Sequence, residues 1–294
     1  MTDEVRVEAG TRPLYGFGMD RPAWAPEGLD LTRPSPARVY DFYLGGFHNF
    51  EVDREMGRRA LQMWPELPQI MRVNRAFLRR AVTYLAAQGV RQFLDIGSGI
   101  PTVDNVHTVA QEVAPGSRVV YVDIDPVAVA HSQAILADDP CTRALLGDFR
   151  RPGDVLSDPA LTSLLDLDQP VALLMVALLH FVPDEDDPSA VIARYRDALA
   201  PGSHLVISHA SQDGQRERGQ EHQGLYQRAG TPMTMRSRER VERFFDGFEL
   251  VDPGLVYLMD WRPDGAASPG GDTADGGFAS ADEAPGWAGV GRLR

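Results

Sequence analysis

The chain contains no lysine: its 29 basic residues are all arginine, and against 42 acids they leave a net charge of −13. So acidic a surface works against nucleic acid as the main partner, because a phosphate backbone is held chiefly by basic groups. The nearest thing to a basic patch, Arg72, Arg75, Arg79 and Arg80, reads as the solvated face of a helix. Cysteine is nearly absent as well. Cys141 stands alone beside Pro140, which excludes an internal disulfide and a cysteine-built zinc site, and no histidine adjoins it to make a nucleophile. Long apolar runs are missing too. The longest begins at Val171, is interrupted by His180, and falls short of the roughly 20 residues that span a bilayer. The polar N-terminus carries no secretory pattern, so the expected setting is cytoplasmic, with no membrane partner.

What is present points to an α/β protein. A chain of 294 residues with 43% hydrophobic content has ample material for one large domain with additions or two small ones. Residues 1–33 lack periodicity and read as a flexible segment. Helical patterns follow from Ser35-Pro36 to the Gly45-Gly46 stop, from about 52 to 63, and from 69 to 88 before Gly89. From Arg91 the pattern changes. Strands are predicted at 91–96, 118–123, 142–146, 170–178 and 204–209, with helices between them at 104–114, 126–137, 153–165 and 188–200. This repeat has the size of right-handed βαβ crossovers in a parallel sheet. Further on, a helix reaches Arg228 and a second opens at Ser237. Two β-prone pieces flank Asp252-Pro-Gly254, 263–285 reads as a loop, and 287–293 reads as a last strand.

The stretch Gln92-Phe-Leu-Asp-Ile-Gly-Ser-Gly99 organises the rest. A short apolar strand runs into glycines that let a ligand approach the backbone, and a second apolar run, Arg118-Val-Val-Tyr-Val122, ends in Asp123. Strand, glycine turn, helix, strand and acid make the nucleotide half-site of a doubly wound sheet. A dinucleotide site carries a third glycine, so that the helix N-terminus meets a pyrophosphate. Here that glycine is missing and Pro101 follows the turn. S-adenosylmethionine brings no pyrophosphate and needs other groups. Asp123 can accept from its ribose hydroxyls, and Asp148 can accept from the adenine amine. Ile124 and Phe149 can cover the ring, while Asp95, Gly97, Ser98 and Gly99 lie beside the methionine part. Asp125 offers a second acid two residues on, but it is better placed to cap the next helix.

Phe93-Leu-Asp-Ile-Gly-Ser-Gly99, Val122-Asp-Ile-Asp-Pro126, Leu146-Gly-Asp148 and Leu178-Leu-His-Phe-Val182 resemble the successive motifs of class I S-adenosylmethionine-dependent methyltransferases. Ser35-Pro-Ala-Arg-Val-Tyr-Asp-Phe-Tyr-Leu-Gly-Gly-Phe-His-Asn-Phe50, with Val73-Asn-Arg-Ala-Phe-Leu-Arg-Arg80, is similar to a bacterial family first catalogued as a domain of unknown function. The resemblance covers about 34–262 and the terminal Gly-Val-Gly-Arg. It implies a doubly wound, seven-stranded Rossmann-like methyltransferase sheet with the last strand antiparallel. A helical lid at 34–89 would precede a core at 90–294. It implies the cofactor, with S-adenosylhomocysteine as product, and leaves the acceptor open to an O, N or C nucleophile of a small molecule. A non-catalytic S-adenosylmethionine-binding protein and a nicotinamide-dependent oxidoreductase are the competing readings.

His180 falls where such enzymes face the acceptor. It is either a general base, worth on the order of 10²–10⁴-fold where a proton must leave, or a histidine of the pocket wall. Tyr40, Gly46, His48, Asn49, Asn74 and Arg75 are expected either to form a lid over the strand ends, with Arg75 pairing the cofactor carboxylate, or to pack helices. The acidic run Asp184-Glu-Asp-Asp-Pro188 precedes a helix, as its dipole favours, and reads as no metal site.

Overall fold

A computed structural model describes residues 30–101, 104–213, 215–263, 278, 283 and 286–294. The flexible reading of 1–33, apart from 30–33, and most of the 263–285 loop lie outside these residues. Three helices come first: α1 (Pro36–Tyr43), α2 (Glu51–Met63) and α3 (Leu67–Ala87). The alternating part follows as β1 (Gln92–Ile96), α4 (Val106–Val113), β2 (Arg118–Asp123), α5 (Pro126–Ile135) and β3 (Thr142–Leu146). It continues as α6 (Pro152–Leu156), α7 (Pro159–Thr162), β4 (Ala172–Val176), α8 (Pro188–Arg196) and β5 (His204–Ala210). The chain closes with α9 (Arg216–Arg228), α10 (Arg238–Glu242), β6 (Phe248–Leu250), β7 (Val256–Tyr257) and β8 (Gly286–Leu293).

The sheet order is β3-β2-β1-β4-β5-β8-β6, with β7 also on β8. Strands β1 to β5 run parallel, and β8 enters antiparallel between β5 and β6. Seven positions are therefore filled, and the last is shared by two short strands. Pro253 has no N–H for the ladder and divides them, while Val251 N–H still reaches the carbonyl of Val290 at 2.8 Å.

Alternation along the strands builds two cores. Phe93, Val119, Ala172 and Val206 face α3 and α4, while Leu94, Val120, Leu173 and Leu205 face α8 and α10. Two expected elements differ. The helix read over 153–165 is broken into α6 and α7, because Pro159 cannot continue a helix and Asp158 caps the new one through Ala160 N at 2.7 Å. The strand read over 170–178 is confined to 172–176, since the backbone turns left-handed at Ala177 (φ 58°). Asp125 caps α5 as expected, accepting from Val127 N at 2.8 Å.

The N-terminal helices are tied into this framework. Val73, Phe77, Ala81 and Leu85 of α3 are fully buried in the same core as the sheet. Arg80 donates across to the carbonyls of Leu258 (2.6 Å) and Trp261 (2.9 Å). Arg38 of α1 is buried between Asp53 of α2 (2.9 Å) and Asp125 (3.6 Å).

Candidate cofactor site and an adjoining cavity

Strand β1 pairs with β2 on one side and β4 on the other. The helix after β1 joins one core and the helix after β4 joins the other. A doubly wound sheet opens a crevice at such a switch point, and here it is a cleft of about 260 Å³. Asp95, Gly97, Ser98 and Gly99 line it from β1, and Asp123 and Ile124 from β2. Asp148 and Phe149 line it after β3, and Tyr40, Asn74 and Arg75 from the helices.

The turn after β1 is shaped by close packing. Gly97 and Gly99 have φ of 73° and 67°, and a Cβ on Gly97 would lie 2.7 Å from the Leu178 side chain. Side chains two apart on a strand share a face. Asp95 and Tyr121 are register partners, so Asp123 projects to the same side as both. Gly99 N–H donates to Asp123 at 2.7 Å, and Asp125 N–H donates at 2.8 Å. Burial pushes the Asp95 carboxyl up to about 7, with Arg75 pulling it down and Asp123 adding to the rise. Burial likewise raises Asp123 to about 6, against the backbone donors. Two buried acids in one cleft are costly alone and suit a ligand that carries positive charge.

The other cleft residues are arranged less simply. Ile124 is 60% exposed and presents an apolar surface to the cleft. Phe149 also lines it, but its ring is buried and stacked on Tyr195. The Asp148 carboxylate is gripped by its own neighbour: Arg150 Nε lies 2.9 Å from one oxygen, and the Arg150 backbone N–H donates to it as well. Arg75 donates to the Asp104 carbonyl at 2.8 Å.

Gly46, His48 and Asn49, expected at the lid, line neither this cleft nor its neighbour. They wrap the buried Asp41 carboxylate instead. His48 N and Asn49 Nδ2 donate to it at 2.9 and 2.8 Å, and a Cβ on Gly46 would collide with it at 2.0 Å. His48 also packs on His131 of α5. That motif builds a turn, and the cleft takes only Tyr40, Asn74 and Arg75 from the predicted set.

His180 lies outside the cleft and lines a second, smaller cavity of about 70 Å³. The two spaces share the walls Pro36, Tyr40, Asn74, Ala177 and Phe181. A hydrogen-bond chain fixes that partition. Ala177 N–H donates to Ser208 Oγ (2.9 Å), Ser208 Oγ to Asn74 Oδ1 (2.6 Å), Asn74 Nδ2 to Tyr40 (3.0 Å), and Tyr40 to the Met71 carbonyl (3.2 Å). Ala177 holds a left-handed backbone without being glycine, a strain that packed surroundings must maintain.

Burial drives His180 well below its ordinary value, and it lowers His209 to about 3 and His222 to about 4. His180 Nδ1 accepts Ala210 N–H at 3.3 Å. His209 has both nitrogens engaged, Nδ1 with the Ala210 carbonyl (2.8 Å) and Nε2 with Arg236 (3.1 Å). Arg236 is buried and also binds the carbonyls of Leu179 and Val182, so it holds the turn after β4 in place. Arg38, Arg236 and His222 were not marked by the sequence. The arginines have partners far along the chain, and His222 sits in a polar stretch that reads as a solvated helix.

Acidic cleft, switch-point position and sheet order together define a Rossmann-like methyltransferase. The chain belongs to the S-adenosyl methyltransferase family, whose model matches residues 22–294. A DUF574 family protein from Streptomyces avermitilis is 38% identical, with a TM-score of 0.83 over 89% of this chain and 98% of its own. A candidate methyltransferase from Thermobifida fusca is 41% identical, with a TM-score of 0.83 over 92% and 99%. No curated protein matches the chain.

The residues present fit the family's cofactor, S-adenosylmethionine. It carries a sulfonium, an ammonium and a ribose diol, and two buried acids line the cleft. Among the described residues, α4 begins only at Val106, well past the Gly97–Gly99 turn, so no helix N-terminus meets that turn as a pyrophosphate would use it.

Proposed function

We propose that the protein moves the methyl group of S-adenosylmethionine to a nucleophilic atom of a small molecule seated in the second cavity. The observation that carries this reading is the shared wall: the acid-lined cleft and an apolar cavity meet at Pro36, Tyr40, Asn74, Ala177 and Phe181. When bound, the cofactor supplies an electrophilic methyl group on a sulfonium. In this reading Asp123 accepts from the ribose hydroxyls, Asp95 faces the positive charge, and Arg75 pairs with the carboxylate. Gly97, Ser98 and Gly99 give backbone access, Ile124 covers the adenine, and Asp148 meets its amine once Arg150 releases an oxygen. The cavity aligns the acceptor and excludes water, which supplies much of what a methyl transfer requires.

His180 takes a changed role here. With Nδ1 accepting a backbone N–H, the neutral ring carries its proton on Nε2. It offers the acceptor a donor and not a base.

A cytoplasmic setting belongs to the same proposal, and Cys141, the lone cysteine, supports it. Among the described residues no helix is long and apolar enough to cross a membrane.

The cofactor assignment is tested by Asp123→Ala. Hydrogen bonds to a charged acceptor are worth about 1.5–3 kcal/mol, so the variant binds S-adenosylmethionine about 10- to 150-fold more weakly while keeping its circular dichroism. Unchanged affinity by calorimetry would remove Asp123 from the site.

A further inference from the structure

Resting on the reading that the second cavity receives the methyl acceptor, we infer that His222 of α9 accepts the hydrogen bond, and during transfer the proton, of an acceptor hydroxyl carried on a neutral aromatic ring.

The cavity decides the charge of what enters. No acid and no arginine lines it among the described residues, and its walls include Trp64, Phe181, Tyr226, Met233 and Leu67. Such a space rejects carboxylates, phosphates and ammonium groups, whose desolvation nothing there would offset. At about 70 Å³ it admits the hydroxyl-bearing edge of a flat apolar ring, which aromatic and thioether walls pack well.

The histidines decide the chemistry. Three of them line the cavity, and two have their acceptor lone pair committed: Nδ1 of His180 to Ala210 N–H and Nε2 of His209 to Arg236. His222 is different. It is 4% exposed and held between Trp64 (ring centroids 5.9 Å apart) and Tyr226 (4.9 Å), and neither ring nitrogen has a hydrogen-bond partner among the described residues. Leaving such a group unsatisfied is costly, and a ligand hydroxyl at this wall would satisfy it. Burial also keeps the ring neutral at physiological pH, so its lone pair is available.

The step balances. A lone pair of the acceptor oxygen forms the new C–O bond as the C–S bond breaks, and the pair of that bond stays on sulfur. The hydroxyl proton passes to a His222 nitrogen, and the imidazolium later releases it to solvent. One positive charge is present before and after, carried first by sulfur and then by the ring, so the buried site never gains net charge.

The test uses the full chain with S-adenosylhomocysteine bound, and two probes of similar shape that stay neutral at pH 7, 4-methylphenol and toluene. Calorimetry should show 4-methylphenol favoured by about 3- to 10-fold, the worth of one hydrogen bond. His222→Phe, which keeps an aromatic ring between Trp64 and Tyr226, should abolish that preference. His222→Gln still accepts a hydrogen bond and should bind 4-methylphenol within about threefold of wild type. It should nevertheless form the wild type's labelled product from a metabolite extract about 10²-fold more slowly. Equal binding of both probes to the wild type, a preference that survives His222→Phe, or wild-type turnover by His222→Gln would each overturn the assignment. Loss of S-adenosylhomocysteine binding by the wild type would instead overturn the cofactor reading beneath it.

Discussion

Asp95 and Asp123 stand on adjacent strands and face one side of the sheet, buried close enough that the charge of Asp123 makes Asp95 harder to ionise. Both carboxyls are raised from an ordinary 3.8, to about 7 and about 6. A carboxyl raised by folding contributes stability that is fully present below about pH 4 and is lost as pH rises through the folded value. The unliganded protein should therefore lose stability from this pair between pH 4 and 7. Affinity for the cationic cofactor should run the other way, rising from pH 5 and levelling above 7 as both acids ionise. Denaturant unfolding and calorimetry across that range check the two trends, and a flat binding profile would contradict the role given to Asp95. Asp123 was legible in the sequence as a cleft residue because it directly ends an apolar run at the carboxyl end of a strand. The grip of Arg150 on Asp148 was not, since it depends on side-chain rotamers that no spacing encodes.

At the scale of elements, one buried arginine ties α1 to α2 and to the turn after β2. Arg38 pairs with Asp53 on α2 and approaches Asp125, two residues from Asp123. Burial raises the Asp53 carboxyl and Arg38 pulls it back. Removing one partner of a buried pair leaves a charge uncompensated, at a cost of about 3–5 kcal/mol. Arg38→Ala should lower stability by that amount in denaturant unfolding and loosen cofactor binding as well. A loss under about 1 kcal/mol, the worth of an exposed pair, would mean that the pair contributes no more than a surface contact. The strands were legible as elements because β1, β2 and β4 are buried on both faces: β4 reads as an unbroken apolar run, and β1 and β2 as short apolar runs that Asp95 and Asp123 punctuate. The helix expected over 153–165 is broken because, although apolar spacing continues across Asp158-Pro159, the helical backbone cannot. The Gly46–Asn49 motif, expected either over the strand ends or in helix packing, serves the Asp41 carboxylate, a contact within the turn itself that no spacing encodes.

At the scale of the whole molecule, α3 and the sheet share one core, and Arg80 fastens α3 to the chain near Trp261. Residues 36–87 should therefore unfold together with the strands. Fluorescence and far-ultraviolet circular dichroism should report one coincident transition, and an earlier loss of helix would show the N-terminal segment to be a separate unit. The two-cavity plan was beyond the sequence. His180, His209 and His222 come from three different elements, and only the folded chain brings them to one wall. The proposed chemistry passes a methyl group from the acidic cleft to the apolar cavity. Its most direct test is incubation of the protein with methyl-labelled S-adenosylmethionine and a metabolite extract fractionated by charge. The expected result is a labelled neutral small molecule that Asp123→Ala fails to form at the same cofactor concentration. Cofactor binding with no label transferred, or label appearing only in charged or macromolecular fractions, would contradict it.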